Sequence, residues 1–108
     1  MENQSIRELV KVASGKLLLF LPHAVRQMSR PERMVTKNEI RHIIENGEII
    51  EDYPEDARGH SCLILGYGEN DRPIHVVVSP KEEYLAIITV YLPSNQNWEN
   101  NYKKRKIK

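Results

Sequence analysis

Apolar residues recur at helical spacing in the first half of the chain and at strand spacing in the second, and the change falls at Gly47. Ser5 and Glu8 form a capping-box pattern around Ile6, Leu9, Val10 and Ala13, with Gly15 as a stop, which predicts a short amphipathic helix. Lys16 to Leu21 is too short and too uniformly apolar for a helix of its own and reads as a buried strand or extended lead-in. Pro22 suits the first turn of a second helix carrying His23, Arg26 and Met28, and Pro31 limits it. A third helix follows Thr36, where Glu39 completes a second capping box, Ile40, Ile43 and Ile44 form the buried stripe, and Gly47 ends it.

After Gly47, residues 48–53, 61–67, 73–79 and 84–92 are β-rich runs separated by turn-forming residues. The links at 68–71 and 80–83 are of hairpin length, so four successive strands form an antiparallel meander. Two to three N-terminal helices followed by about four strands define an α+β class in which the helices cover one sheet face. The uncovered face, or its edge with the helices, is then the place for a site.

Length adds one constraint: 108 residues with 40% hydrophobic content suffice for one core. The expected organisation is a single domain over 1–108, with a core at about 17–98, an extra N-terminal helix at 1–15 and a basic tail at 99–108. Trp98 is the expected anchor of that tail, with the last residues mobile. Cys62 is the one cysteine, which excludes an internal disulfide framework and a thiolate zinc cluster and fits a reducing cytoplasm. No apolar run is long enough to span a membrane, and the N-terminal residues lack a basic segment followed by an apolar signal core, so no targeting device is expected.

Net charge is only +1, but Glu45, Glu48, Glu51, Asp52, Glu55 and Asp56 crowd the middle while Lys103, Lys104, Arg105, Lys106 and Lys108 load the end. Such a tail can neutralise phosphates or an acidic partner, or simply be a solvated terminus.

His23 falls at a helix start, where the helix dipole disfavours the imidazolium and leaves a neutral base, or else it merely caps the helix. His75 lies in a β-run on the face of Val77 and opposite Ile74, Val76 and Val78. With a phosphate bound, Arg72 could hold its oxygens while His75 exchanges a proton; the alternative is a satisfied sheet histidine beside an exposed turn arginine. Thr89 and Tyr91 share one strand face and Tyr53 ends the first run of that region, so their hydroxyls can orient a phosphate or stack a base. His42 and His60 read as surface residues and Cys62 as an inert buried thiol. The histidines lack metal-site pairing, the acidic run reads as the solvated side of a strand, and glycine-based phosphate loops are absent; no metal or cofactor is expected.

In order and spacing, several motifs resemble domain-of-unknown-function family 4258 over roughly residues 18–106. They are His23-Ala24 through Met28, Gly47 through Pro54, Ser61 through Gly66, Arg72-Pro-Ile-His-Val-Val77, Ile88-Thr-Val-Tyr91-Leu-Pro93, and Trp98. That family looks like a member of the wider group of RelE-like and barnase-like ribonuclease toxins, whose helices precede a curved antiparallel sheet and which often accompany a small antitoxin. The resemblance implies a metal-independent endoribonuclease of a type II toxin-antitoxin system, acting on RNA, with or without the ribosome. His23, Arg72, His75, Thr89 and Tyr91 match the family's polar positions, and Arg105 sits where a terminal basic residue follows the tryptophan. The chain departs from the pattern in its extra N-terminal helix, in Leu21-Pro22 where a small hydroxyl residue is more common, and in Arg30-Pro-Glu-Arg33. Any of Arg26, Arg30 and Arg33 could then be a helix-borne phosphate contact.

The expected catalytic set is therefore His75 as base, His23 as acid (or the reverse), Arg72 and Tyr91. Arg26, Arg33, Thr89, Tyr53, Lys104 and Arg105 form the expected RNA and phosphate contacts. The rival expectations are a non-catalytic RNA- or protein-binding module and an accessory enzyme acting on a small phosphorylated metabolite.

Overall fold

The computed structural model describes residues 5–107, so the first four positions of the expected N-terminal helix and Lys108 of the tail lie outside the described residues. Along the chain run α1 (Ile6–Ser14), β1 (Leu18–Phe20), α2 (Pro22–Met28), α3 (Lys37–Asn46), β2 (Glu48–Tyr53) and β3 (Ser61–Tyr67). They are followed by β4 (Pro73–Pro80), β5 (Leu85–Tyr91), and the short strands β6 (Trp98–Glu99) and β7 (Lys104–Arg105). Both capping boxes form: the Ser5 hydroxyl accepts from the Glu8 amide at 3.2 Å, and the Thr36 hydroxyl accepts from the Glu39 amide at 3.1 Å. Each glutamate in turn accepts the amide of its capping residue.

The main sheet has the order β1-β5-β4-β3-β2. Strands β2 to β5 make the expected antiparallel meander. The sheet nevertheless has five strands and is mixed, because β1 joins β5 in parallel. That pairing joins residues far apart in sequence and carries no hairpin signal, so only the extended character of the segment was readable locally.

One sheet face is covered by the helices. Val10 and Ala13 of α1, Ala24 and Met28 of α2, and Ile40 and Ile43 of α3 form one buried cluster with Cys62, Ile64, Ile74, Val76, Val78, Ile87 and Val90. Two register slips serve this packing: at Ile50 in β2 and at Ile88 in β5 one residue lacks a partner. The second slip lets Leu85, Ile87 and Val90 all reach the helical layer despite their odd spacing.

The opposite face carries Leu63, Leu65, His75 and Tyr91, and the C-terminal segment closes over part of it. Trp98 is 4% exposed and His75 is fully buried beneath it. The first part of the basic tail is folded onto the sheet, with Trp98 as the expected anchor. Residues 98–105 form a hairpin in which Trp98 pairs with Arg105. Its turn holds Asn100, Asn101 and Tyr102 at positive φ, and it is pinned by ion pairs from Lys103 to Glu48 at 3.1 Å and from Arg105 to Glu51 at 3.0 Å. The central acids that looked merely solvated thus neutralise two cations of the tail. No helix among the described residues is long and apolar enough to cross a membrane.

Candidate functional site

Strand pairing sets His75 directly opposite Tyr91, with both side chains on the face away from the helices. The phenol oxygen lies 3.0 Å from His75 Nδ1, and the Tyr102 carbonyl oxygen lies 2.9 Å from Nε2. A carbonyl can only accept, so Nε2 carries the proton and donates it to Tyr102. Burial holds the His75 pKa below its ordinary value, although the Tyr102 carbonyl and Glu51 push the other way. The ring is therefore a neutral Nε2–H tautomer, and its free Nδ1 accepts the Tyr91 hydroxyl proton.

Trp98 meets the His75 ring edge-on at 4.4 Å between centroids, and Tyr91 does so at 5.1 Å. Arg105 stacks over the Trp98 ring at 4.7 Å while its Nε–H donates to Glu51. Tyr53 also donates its hydroxyl to Glu51. Burial and that carboxylate push the Tyr53 pKa up to about 12, and burial raises that of Tyr91, so both phenols are protonated at neutral pH. The charges of Arg105 and Glu51 both act on His75 and on Tyr91, which makes one connected group of His75, Tyr91, Trp98, Tyr102, Glu51, Tyr53 and Arg105. Thr89 lies two residues from Tyr91 on the same face, half-buried.

The structure does not bring the remaining expected residues to this group. His23 is exposed on α2, whose buried side packs into the helical layer, and neither a hydrogen bond nor a ring contact joins it to His75. Arg26 is exposed on the same helix. Arg33 donates to the Val90 carbonyl at 3.4 Å, and Gln27 accepts the Val90 amide at 2.8 Å; together they satisfy the β5 edge where β1 has ended. Lys104 is exposed on β7.

Arg72 is occupied. Its guanidinium donates to the carbonyls of Arg33 and Met34 and forms an ion pair with Glu39 at 3.0 Å. Glu39 is 6% exposed and also accepts the Thr36 and Glu69 amides. Burial alone would raise the pKa of Glu39, but these two amides and Arg72 outweigh it and leave the carboxyl below its ordinary range. The pair ties the start of α3 to the turn before β4, so Arg72 holds the fold together rather than presenting donors for a phosphate.

His42 is exposed and bonds Asn46. His60 is less free than expected, because Nε2 lies 2.6 Å from an Asp52 carboxylate oxygen. Cys62 is fully buried, and burial pushes its thiol up to about 12, as befits an inert core cysteine. Among the described residues no three His, Cys, Asp or Glu side chains converge on a point.

Two members of the group escaped the sequence reading. Tyr102 acts through its backbone carbonyl, which no side-chain pattern announces. Glu51 shares a face with Tyr53 by ordinary strand alternation, and that spacing could have suggested the pair.

Comparison with curated proteins yields no significant match, and comparison with solved structures yields none either. A family model does match, over residues 20–92, which contain His75, Tyr91, Glu51 and Tyr53 but neither Trp98 nor the hairpin that covers them. The chain belongs to the family described as domain of unknown function DUF4258.

Proposed function

We propose that this protein is a metal-independent endoribonuclease whose proton-transfer unit is the Tyr91–His75 pair. The observation that carries the reading is the chain of hydrogen bonds from the Tyr91 hydroxyl to His75 Nδ1 and from His75 Nε2–H to the Tyr102 carbonyl. A hydroxyl bonded to a neutral imidazole, itself oriented by a third group, is the arrangement that activates a hydroxyl for proton transfer. Tyr102 holds its carbonyl there from a left-handed backbone conformation at φ 68°, costly for a bulky residue, which fits a fixed role for that atom.

On an RNA strand, Tyr91 accepts the proton of a ribose 2′-hydroxyl while passing its own to His75 Nδ1. The 2′ oxygen attacks phosphorus, the bond to the 5′ oxygen breaks, that oxygen takes a proton from solvent, and His75 returns its Nδ1 proton to solvent by way of Tyr91, which restores the neutral pair. The products are a 2′,3′-cyclic phosphate and a 5′-hydroxyl. Arg105 is the cation that would meet the phosphate: its Nε and one terminal nitrogen are held by Glu51, but the side chain is 60% exposed, so a phosphate can compete for it, as the pair of Arg72 with buried Glu39 does not allow. This scheme replaces the two-histidine scheme, since His23 and Arg72 stand elsewhere. The likeness of family 4258 to ribonuclease toxins is what suggests RNA as the substrate, a cytoplasmic site of action, ribosome association and a small antitoxin as partner.

Cleavage of a defined RNA with chelator present tests the reading. The wild type yields cyclic-phosphate ends, Tyr91→Phe and His75→Asn lose about 100-fold or more, and His23→Ala keeps full rate. Full activity in a folded Tyr91→Phe protein overturns it.

A second reading, a non-catalytic RNA- or protein-binding module, draws on the complete burial of His75. Under it no RNA is cleaved under any condition, and Tyr91→Phe leaves RNA binding unchanged.

A further inference from the structure

We propose that the outer edge of β1 docks an extended acidic segment of a partner protein, which adds to the sheet as a sixth strand. The inference does not rest on the ribonuclease reading, since β1 belongs to a different part of the molecule from the Tyr91–His75 pair.

The backbone carries the first half of the argument. The Leu17 carbonyl accepts the Leu85 amide and the Leu21 amide donates to the Ile87 carbonyl. Alternation along a strand therefore turns the N–H and C=O groups of Leu18 and Phe20 outward, away from β5. Neither residue has a hydrogen-bond partner on that side among the described residues. At the other end of β5 the edge groups of Val90 are capped by Gln27 and Arg33. Along β1 no such cap exists among the described residues, and the neighbouring apolar side chains are open: Leu17 is 57% exposed and Leu19 is 41% exposed. A bare edge flanked by exposed leucines is a template for strand addition.

Charge identifies the occupant. The edge borders a groove of about 430 Å³ between β1 and the first turns of α3. Its lining includes Lys16, Lys37 and Arg41 and contains no acidic residue. None of the three cations forms an ion pair among the described residues; Lys16 donates to the Glu82 carbonyl, and Lys37 lies over the Phe20 ring at 5.2 Å. An added strand presents alternate side chains to opposite faces. One set meets Lys37 and Arg41 in the groove and the other meets Leu19, so the chemistry that fits is acidic residues alternating with apolar ones. RNA could match the cations, but it offers no row of alternating donors and acceptors for the N–H and C=O groups of Leu18 and Phe20 and no apolar side chains for the leucines.

The test uses the full-length protein and a short synthetic peptide alternating glutamate and valine, against a lysine-valine peptide and a single-stranded oligonucleotide as competitors. Expected are binding by the acidic peptide alone, slowed hydrogen exchange at the Leu18 and Phe20 amides, and at least ten-fold weakening in Lys37→Glu/Arg41→Glu. Methylating alternate peptide nitrogens of the probe, which leaves the protein intact, abolishes the exchange protection. No binding at millimolar peptide, binding without protection of those two amides, displacement by the oligonucleotide, or protection in the free protein that rises with its own concentration each overturns the proposal. The last would mark pairing of two copies instead.

Discussion

A neutral imidazole sealed between Tyr91, Tyr102 and Trp98 has a consequence for stability as pH falls. The folded-state pKa of His75 lies below its ordinary value of 6.5, so the unfolded chain binds a proton that the native protein refuses. Above pH 6.5 neither state binds it and the residue contributes no pH dependence. Below 6.5 the unfolded state gains, and stability falls as pH drops toward the lowered folded value. Urea midpoints measured from pH 7 to pH 5 should therefore decline for the wild type and stay flatter for His75→Asn. An unchanged slope in the variant would remove His75 as the cause. Arg72 supplies the contrasting case. Arg72→Ala strands the Glu39 carboxylate, 6% exposed, without its cation and should cost about 3 kcal/mol by urea denaturation. Arg105→Ala breaks an ion pair whose arginine is 60% exposed and should cost about 1 kcal/mol or less. Both arginines looked like phosphate ligands in the sequence. Burial and partners separate them, and neither can be read from residue type alone.

The decisive element is the C-terminal hairpin. Replacing Trp98 by Ala should cost about 3 to 5 kcal/mol if the fold cannot collapse around the gap, because the indole is 4% exposed and caps His75. The same change should release the hairpin, raise the His75 pKa toward its ordinary value in an NMR titration, and speed exchange of the amides at 98–105. Retention of the lowered pKa would show that β4 and β5 bury the ring without the hairpin. The three helices and the β2 to β5 meander were legible because each rests on local signals: two capping boxes, an isoleucine stripe, and turn residues between alternating runs. The pairing of β1 with β5 and the closure of β6 and β7 over the sheet were not. Both are contacts between distant residues, and β6 and β7 are two-residue strands with no periodicity to detect.

At the scale of the whole molecule, a net charge of +1 conceals internal neutralisation that bears directly on the proposed contact with RNA. The sequence places five basic residues after position 102 and acids in β2, but it does not show that they face one another. In the fold, Glu48 holds Lys103 at 3.1 Å and Glu51 holds Arg105 at 3.0 Å, so two of the tail's cations are spent on the sheet. A cation already paired releases fewer counterions when it meets a phosphate, because the acid it leaves must recover its own. Nonspecific binding to single-stranded RNA should therefore show a shallow dependence on salt in the wild type. Glu48→Gln/Glu51→Gln frees both cations and should steepen the slope of log K against log salt by roughly 1.4, about 0.7 for each phosphate newly neutralised. Affinity should rise most at low salt, where screening is weakest. An unchanged slope would place the RNA contact away from the hairpin, on the helical side of the molecule where Arg26 stands exposed on α2.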